Sequence, residues 1–228
     1  MKRILVTSLL SVGLLAAQAA AAAGTVTIKW QGVDLAGIKL STMDAAVSAT
    51  TPVTSNYATT ALNYTYVDTN ESFIAWCIEP SQVNGRAGVS RVYDVGGFSG
   101  QQAQQLQGLF SSSYASLSTY DDKAAFQLAL WELMRESSPS LNASSGSFHV
   151  VGNDATSTAV AALANSFLTQ ALAYNGPARY ELTRLSNASL QDLVVATAVT
   201  AVPEPESYAL FLAGLGAIGM MARRRLPR

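Results

Sequence analysis

The chain carries few residues suited to reactive chemistry. Of its 228 residues, one is a cysteine, Cys77, and one is a histidine, His149. A lone cysteine rules out an intramolecular disulfide, and a lone histidine rules out most histidine-based metal sites. Neither a metal nor a cofactor is expected. Charged residues make up 13% and hydrophobic ones 49%, an apolar share too high for a disordered chain. Basic residues are scarce in the body of the chain. Between residues 24 and 202, eight basic side chains stand against thirteen acidic ones. Nothing there offers a phosphate-neutralising surface, so nucleic acid is not an expected partner. No internal repeat is visible, and the length fits one ordinary domain or at most two small ones.

The positive charge that the body lacks sits at the two ends. Lys2 and Arg3 precede an apolar run from Ile4 to Ala17, and Ala19–Ala23 offers small residues for cleavage. This is the pattern of a secretory signal peptide over residues 1–23. At the other end, Pro203-Glu204-Pro205 is followed by fifteen uncharged residues, Tyr208–Ala222, and then by Arg223, Arg224 and Arg225. Fifteen residues make a short transmembrane helix, since a full span needs about twenty. Gly214, Gly216 and Gly219 suit a helix in lipid, and the arginines belong on the cytoplasmic side. The expected topology is body outside, tail inside.

This three-part tail, over residues 201–228, resembles the PEP-CTERM sorting signal of Gram-negative bacteria. The resemblance implies recognition near Pro203-Glu204-Pro205 by an exosortase, with the tail then removed, as in other tail-replaced anchors. It also implies export through the inner membrane, transient anchoring by the C-terminal helix, and a final place at the cell surface or in an exopolysaccharide-rich extracellular matrix.

Between the ends, residues 24–200 read as one secreted α+β domain, a β-rich scaffold with an inserted helical section and a C-terminal hydrophobic sorting helix beyond it. Thr25–Trp30, Leu62–Val67 and Phe73–Ile78 alternate or are apolar in the manner of strands, the last two around a turn near Asp68–Glu71. Residues 41–60, rich in Ser, Thr and Ala, read as irregular. Asn84-Gly85 signals a hairpin, with Val89–Val95 as the returning strand. Helices are expected over Gln101–Phe110, Tyr120–Arg135 and Thr156–Tyr174. Thr119 and Asp122 cap the second, and Asn175-Gly176-Pro177 stops the third. Phe148–Val151 reads as a short strand, and Arg179–Leu185 with Asp192–Val199 as a closing pair.

Two segments stand out. Phe73-Ile74-Ala75-Trp76-Cys77-Ile78 is apolar on both faces, which predicts a buried strand and a buried Cys77. On the helix over Tyr120–Arg135, Phe126, Leu130, Trp131, Leu133 and Met134 share one face. Asp121, Asp122, Glu132, Arg135 and Glu136 share the other, where Glu132 and Glu136 read as solvated. Gln127 falls on the apolar face, and a buried amide without partners costs about 1–3 kcal/mol. It must be well hydrogen-bonded, or else no longer be an amide.

Trp76-Cys77 on a strand and Phe126-Gln127-Leu128-Ala129-Leu130-Trp131 on a helix resemble the paired motifs of Cys-Gln thioester domains of bacterial surface adhesins, with Trp where the family usually has Tyr or Phe before the cysteine. The resemblance implies a bond between the Cys77 sulfur and the Gln127 side-chain acyl carbon, shielded by Trp76, Phe126 and Trp131. An amine- or hydroxyl-bearing surface target would then open it, making the protein a single-turnover covalent anchor and not an enzyme. A buried structural thiol and a hydrogen-bonded core glutamine are the plain alternatives, and would leave a non-covalent exopolysaccharide- or matrix-binding module. A hydrolase built on Cys77, His149 and Asp154 is the third reading, with no supporting residues around any of the three.

Overall fold

The computed structural model describes residues 24–34, 37–54, 58–137, 139–200, 212–215 and 218. Among the described residues, ten strands, three α-helices and one short 3-10 helix (Tyr114–Ser116) follow one another between residues 24 and 198. The strands are β1 (Gly24–Val33), β2 (Ile38–Lys39), β3 (Ser41–Asp44), β4 (Ala58–Thr59), β5 (Leu62–Tyr66), β6 (Ser72–Cys77), β7 (Ser90–Gly96), β8 (Phe148–Val151), β9 (Tyr180–Ser186) and β10 (Leu193–Ala198). The helices are α1 (Gly100–Ser113), α2 (Tyr120–Arg135) and α3 (Ala155–Ala173). This is the expected α+β architecture, with the helices set between β7 and β9.

Six strands close into an antiparallel barrel in the order β1-β5-β6-β10-β9-β7. Closure removes the exposed edges that an open sheet would present. The β1–β5 register breaks between Trp30 and Gly32, where Gly32 takes φ 127°. Such a bulge re-aims the side chain beside it, here that of Trp30.

The helices lie against the outer face of β6. Trp76 packs on Phe126 with ring centroids 4.7 Å apart, and Phe126 meets Phe110 of α1 at 5.0 Å. Gly108 lets α1 approach α3, because a Cβ there would collide with the Ala171 carbonyl oxygen. The start of α2 is fixed by a full capping box, in which the Thr119 hydroxyl accepts from the Asp122 N–H at 3.1 Å and the Asp122 carboxylate accepts from the Thr119 N–H at 2.9 Å.

Three local expectations need correction. Residues 41–60 are not wholly irregular. They hold β3, which pairs with β8, and β4, which pairs with β2. Hydroxyls order this segment in place of an apolar pattern. Thr54 Oγ1 accepts from the Thr42 N–H at 3.0 Å and donates to the Leu40 carbonyl at 2.9 Å.

Asn84-Gly85 does not turn a hairpin. β7 pairs with β1 and β9, while the neighbours of β6 are β5 and β10. A tight hairpin needs positive φ at its central residues, and here the positive φ falls at Gly88. The Asn84 side chain instead takes hydrogen bonds from Tyr64 and Gln191.

Glu132 is not solvated either. It is fully buried, and its Oε1 accepts from the Asn142 N–H at 2.6 Å. The segment leading into β8 covers the face that the helical wheel leaves open. Glu136 is half-buried and accepts from the Ser147 hydroxyl and the Phe148 N–H.

The signal peptide and most of the sorting tail lie outside the described residues, including Pro203, Glu204, Pro205, Arg223, Arg224 and Arg225. Of the tail, residues 212–215 and 218 are helical. No helix among the described residues is long and apolar enough to cross a membrane.

Candidate functional site

Strand alternation sets the position of Cys77. Ala75 pairs with Leu62 and Val195, and Cys77 pairs with Leu193, so the two share the face turned into the barrel. Trp76, between them, faces the helices. Cys77 is buried, as expected.

The backbone of Cys77 has an opening beside it. The Ile78 N–H donates to the Asp192 carbonyl on the β10 side at 2.9 Å. Main-chain groups alternate sides along a strand, so those of Cys77 point to the β5 side. There β5 begins only at Leu62, opposite Ala75, and reaches no further. The side chain of Gln127 takes the place of the missing strand. Its Oε1 accepts from the Cys77 N–H at 3.1 Å, and its Nε2 donates to the Cys77 carbonyl at 2.7 Å. The two partners fix the orientation of the amide, since only one assignment satisfies a donor and an acceptor at once. This accounts for a glutamine on the apolar face of α2: both polar atoms of its amide are hydrogen-bonded, to the residue fifty positions earlier.

Both side chains line one pocket of about 370 Å³, together with Trp30, Thr60, Leu62, Asn84, Trp131 and Gln191 among others. Of the three shielding residues expected from the sequence, Trp131 lines this pocket. Trp76 and Phe126 lie behind it in the aromatic layer between β6 and the helices. Trp30 belongs to the site and was not legible as such. Its only sequence signal is a tryptophan closing the first alternating strand.

Burial pushes the Cys77 thiol up to about 12, against two groups that favour the thiolate, the Trp131 indole N–H and the Glu79 backbone N–H; the nearby Glu79 and Asp192 carboxylates add to the rise. The indole N–H is buried and makes no hydrogen bond of ordinary geometry, so its pull on the sulfur is a weak, longer-range one. These two donors offset the effect of burial only in part, and neither could be assigned before the fold was known.

The three residues of the hydrolase reading are not gathered. His149 sits on β8 opposite Met43, with Nδ1 against the Gly146 carbonyl at 3.0 Å. The Asp154 carboxylate caps α3, accepting from the N–H and the hydroxyl of Ser157. Neither lines the pocket that holds Cys77. Among the described residues no group of three or more His, Cys, Asp and Glu side chains could hold a metal ion.

Residues 201–225 match the model of the PEP-CTERM protein-sorting motif. The chain therefore carries that sorting motif at its C-terminal end, which implies processing by an exosortase and marks an exported, surface-sorted protein. Among curated proteins none matches the chain. Among solved structures the chain is similar in shape to several bacterial proteins. The N-terminal thioester domain of a surface protein from Clostridium perfringens is 15% identical, with 61% of this chain and 89% of that one covered and a TM-score of 0.45. The N-terminal domain of the Streptococcus pyogenes pilus tip adhesin Cpa is 16% identical, with 75% and 99% covered and a TM-score of 0.42. The Bacillus anthracis TIE protein is 11% identical, with 80% and 34% covered and a TM-score of 0.38. These are distant likenesses of shape.

Proposed function

We propose that the protein is a surface-sorted covalent adhesion module whose reactive group is a thioester between Cys77 and Gln127. The observation that carries this reading is the reciprocal pair of hydrogen bonds between the Gln127 side-chain amide and the Cys77 backbone. That pair holds the acyl group beside the one cysteine of the chain, at the wall of a pocket. The Cys77 N–H, bonded to Oε1, is placed where negative charge grows when sulfur attacks the carbonyl.

In the bond-forming step the sulfur of Cys77 attacks the Gln127 side-chain carbon. The C–N bond breaks, the thiol proton goes to the nitrogen, and ammonia leaves. Holding the two side chains together substitutes for a strong nucleophile. A nucleophile of the target later takes the acyl group, and Cys77 returns to a free thiol. Each molecule reacts once, so the protein is an anchor and not an enzyme.

In this reading residues 1–23 direct export, residues 24–200 form the adhesive domain, and residues 201–228 hold the chain in the inner membrane of a Gram-negative cell until an exosortase acts. The final location is the cell surface or an exopolysaccharide-containing matrix.

The test is the intact mass of the exported chain, with and without methylamine. The expected result is a mass short by one ammonia, and a methylamide on Gln127 after treatment that is absent from Cys77→Ala. A full mass, a thiol that titrates on unfolding and no uptake of methylamine would overturn the reading, provided Gln127 has not become glutamate by hydrolysis. The protein would then be a non-covalent binding module with a structural Cys77.

A further inference from the structure

We infer that the pocket beside Cys77 and Gln127 receives a carbohydrate hydroxyl, so that the covalent product is an ester to a sugar and not an amide to a lysine. The covalent step rests on the thioester reading above; the class of ligand rests on the pocket itself.

No side chain in the described lining of the pocket is charged. Its residues are aromatic (Trp30, Trp131), aliphatic, or neutral and hydrogen-bonding, such as Thr54, Thr60, Asn84 and Gln191. The carboxylates that act on the thiol, those of Glu79 and Asp192, line a separate small cleft with Arg135 and Arg184, and Asp192 is ion-paired with Arg184 at 2.5 Å. A lysine ammonium entering the main pocket would shed its water with no anion to receive it, a cost far above that of a neutral hydroxyl.

The walls of the pocket suit the same class of ligand. Two indole side chains, Trp30 and Trp131, and the neutral amide and hydroxyl groups of Asn84, Gln191 and Thr60 line it. A sugar ring brings several hydroxyls, together with an apolar face that suits an indole wall. The volume, about 370 Å³, lies at the small end of ligand pockets, roughly 300–1,000 Å³, and fits a ligand of one or two rings.

The transfer balances without a co-reactant. The sugar oxygen forms a bond to the Gln127 acyl carbon, the C–S bond breaks, and the hydroxyl proton passes to the departing sulfur. Burial makes that sulfur strongly proton-seeking.

The experiment offers the exported chain equal concentrations of methyl β-D-glucopyranoside and Nα-acetyl-lysine methylamide at pH 7, and reads the adducts on Gln127 by mass. The glucoside ester is expected to exceed the lysine adduct by about tenfold or more, equivalent to about 1.4 kcal/mol of discrimination, and Trp30→Phe is expected to lower that ratio. A lysine adduct equal to or greater than the ester overturns the inference. Saturation-transfer NMR with the same glucoside on Cys77→Ala, or on Cys77→Ser if the first variant does not fold, reads the ligand class without any thioester. Transfer is expected, and its absence also overturns the inference. Methylamine, run alongside, separates the two readings. Methylamine uptake without sugar binding removes the carbohydrate and keeps the thioester. Sugar binding to the variant without methylamine uptake by the parent chain removes the thioester and keeps the ligand.

Discussion

The side-chain amide of Gln127 stands in for a strand, giving the Cys77 N–H an acceptor at 3.1 Å and the Cys77 carbonyl a donor at 2.7 Å where β5 has not yet begun. One residue of α2 thereby completes the backbone hydrogen bonding at the end of β6 and brings a side-chain amide beside the cysteine.

That double role predicts the effect of losing the amide. Gln127→Ala leaves the N–H and C=O of Cys77 unpaired in the interior, and a destabilisation of about 2–5 kcal/mol is expected from two unmet groups and a small cavity. Gln127→Glu, the product of thioester hydrolysis, cannot donate to the Cys77 carbonyl while ionised. Its buried carboxyl prefers the proton in the folded state, so its penalty should be small at pH 4 and grow as pH rises through 7. Chemical denaturation of both variants at the two pH values checks this, and a pH-independent Gln127→Glu would sink the role assigned to the Nε2 donor.

The raised Cys77 thiol predicts the pH profile of bond formation. With the thiol pushed up to about 12, its thiolate fraction rises tenfold per pH unit up to that value. Ammonia loss after refolding should therefore accelerate steadily from pH 6 to pH 9, with no plateau. Trp131→Phe removes one of the two groups that favour the thiolate, and should slow the reaction at every pH in that range. A plateau below pH 9, or an unchanged Trp131→Phe rate, contradicts the assignment of these donors.

Glu132 offers a stability test away from the site. Burial raises its carboxyl to about 8, against the favourable Asn142 N–H, with Glu136 adding to the rise. Its Oε2 has no hydrogen-bond partner. A raised folded-state value means that the folded state keeps the proton. Stability is then full below the unfolded value near 4.5 and is lost progressively up to about pH 8. Glu132→Gln keeps an acceptor for Asn142 and carries no charge. It should stabilise the protein by about 1–3 kcal/mol at pH 8.5, and by much less at pH 5. Thermal unfolding at the two pH values reads the difference.

The capping box at the head of α2 makes a separate prediction. Burial works against the Asp122 carboxylate, but the N–H and hydroxyl groups of Thr119 and Ser118 outweigh it and hold the carboxyl below its usual range. Thr119→Ala should cost about 1 kcal/mol. The Asp122 contribution is present above its unfolded pKa and is lost as pH falls through the lower folded one. Asp122→Ala should therefore destabilise the chain at pH 7 and become neutral in strong acid, as read by circular dichroism.

Much of the fold was legible in sequence order. Strong periodicity and explicit stop signals located α2 and the β9–β10 pair within a residue or so, because local propensity and capping agree there with the tertiary fold. The Asn84-Gly85 signal misled because a turn dipeptide is compatible with many paths, and only the pairing of β6 with β10 decides which path the chain takes. Glu132 misled because a helical wheel ranks faces by polarity and carries no knowledge of a covering loop.

The sequence by itself determined the address and the ingredients. A sorting motif is read as a linear string, so its match at residues 201–225 needs no fold, and one cysteine with one out-of-pattern glutamine already marks the unusual pair. The tertiary structure decided their relationship. That Gln127 meets the backbone of Cys77 follows from where β5 begins, and that the Trp131 and Glu79 N–H groups act on the sulfur follows from how α2 and the segment after β6 pass the barrel mouth. The absence of charge from the described lining of the pocket follows from the path of the chain after β6, which carries Glu79 into a separate cleft. The contacts of Gln127 and Trp131 with Cys77 cross long sequence separations, set by barrel closure and burial rather than by any local pattern.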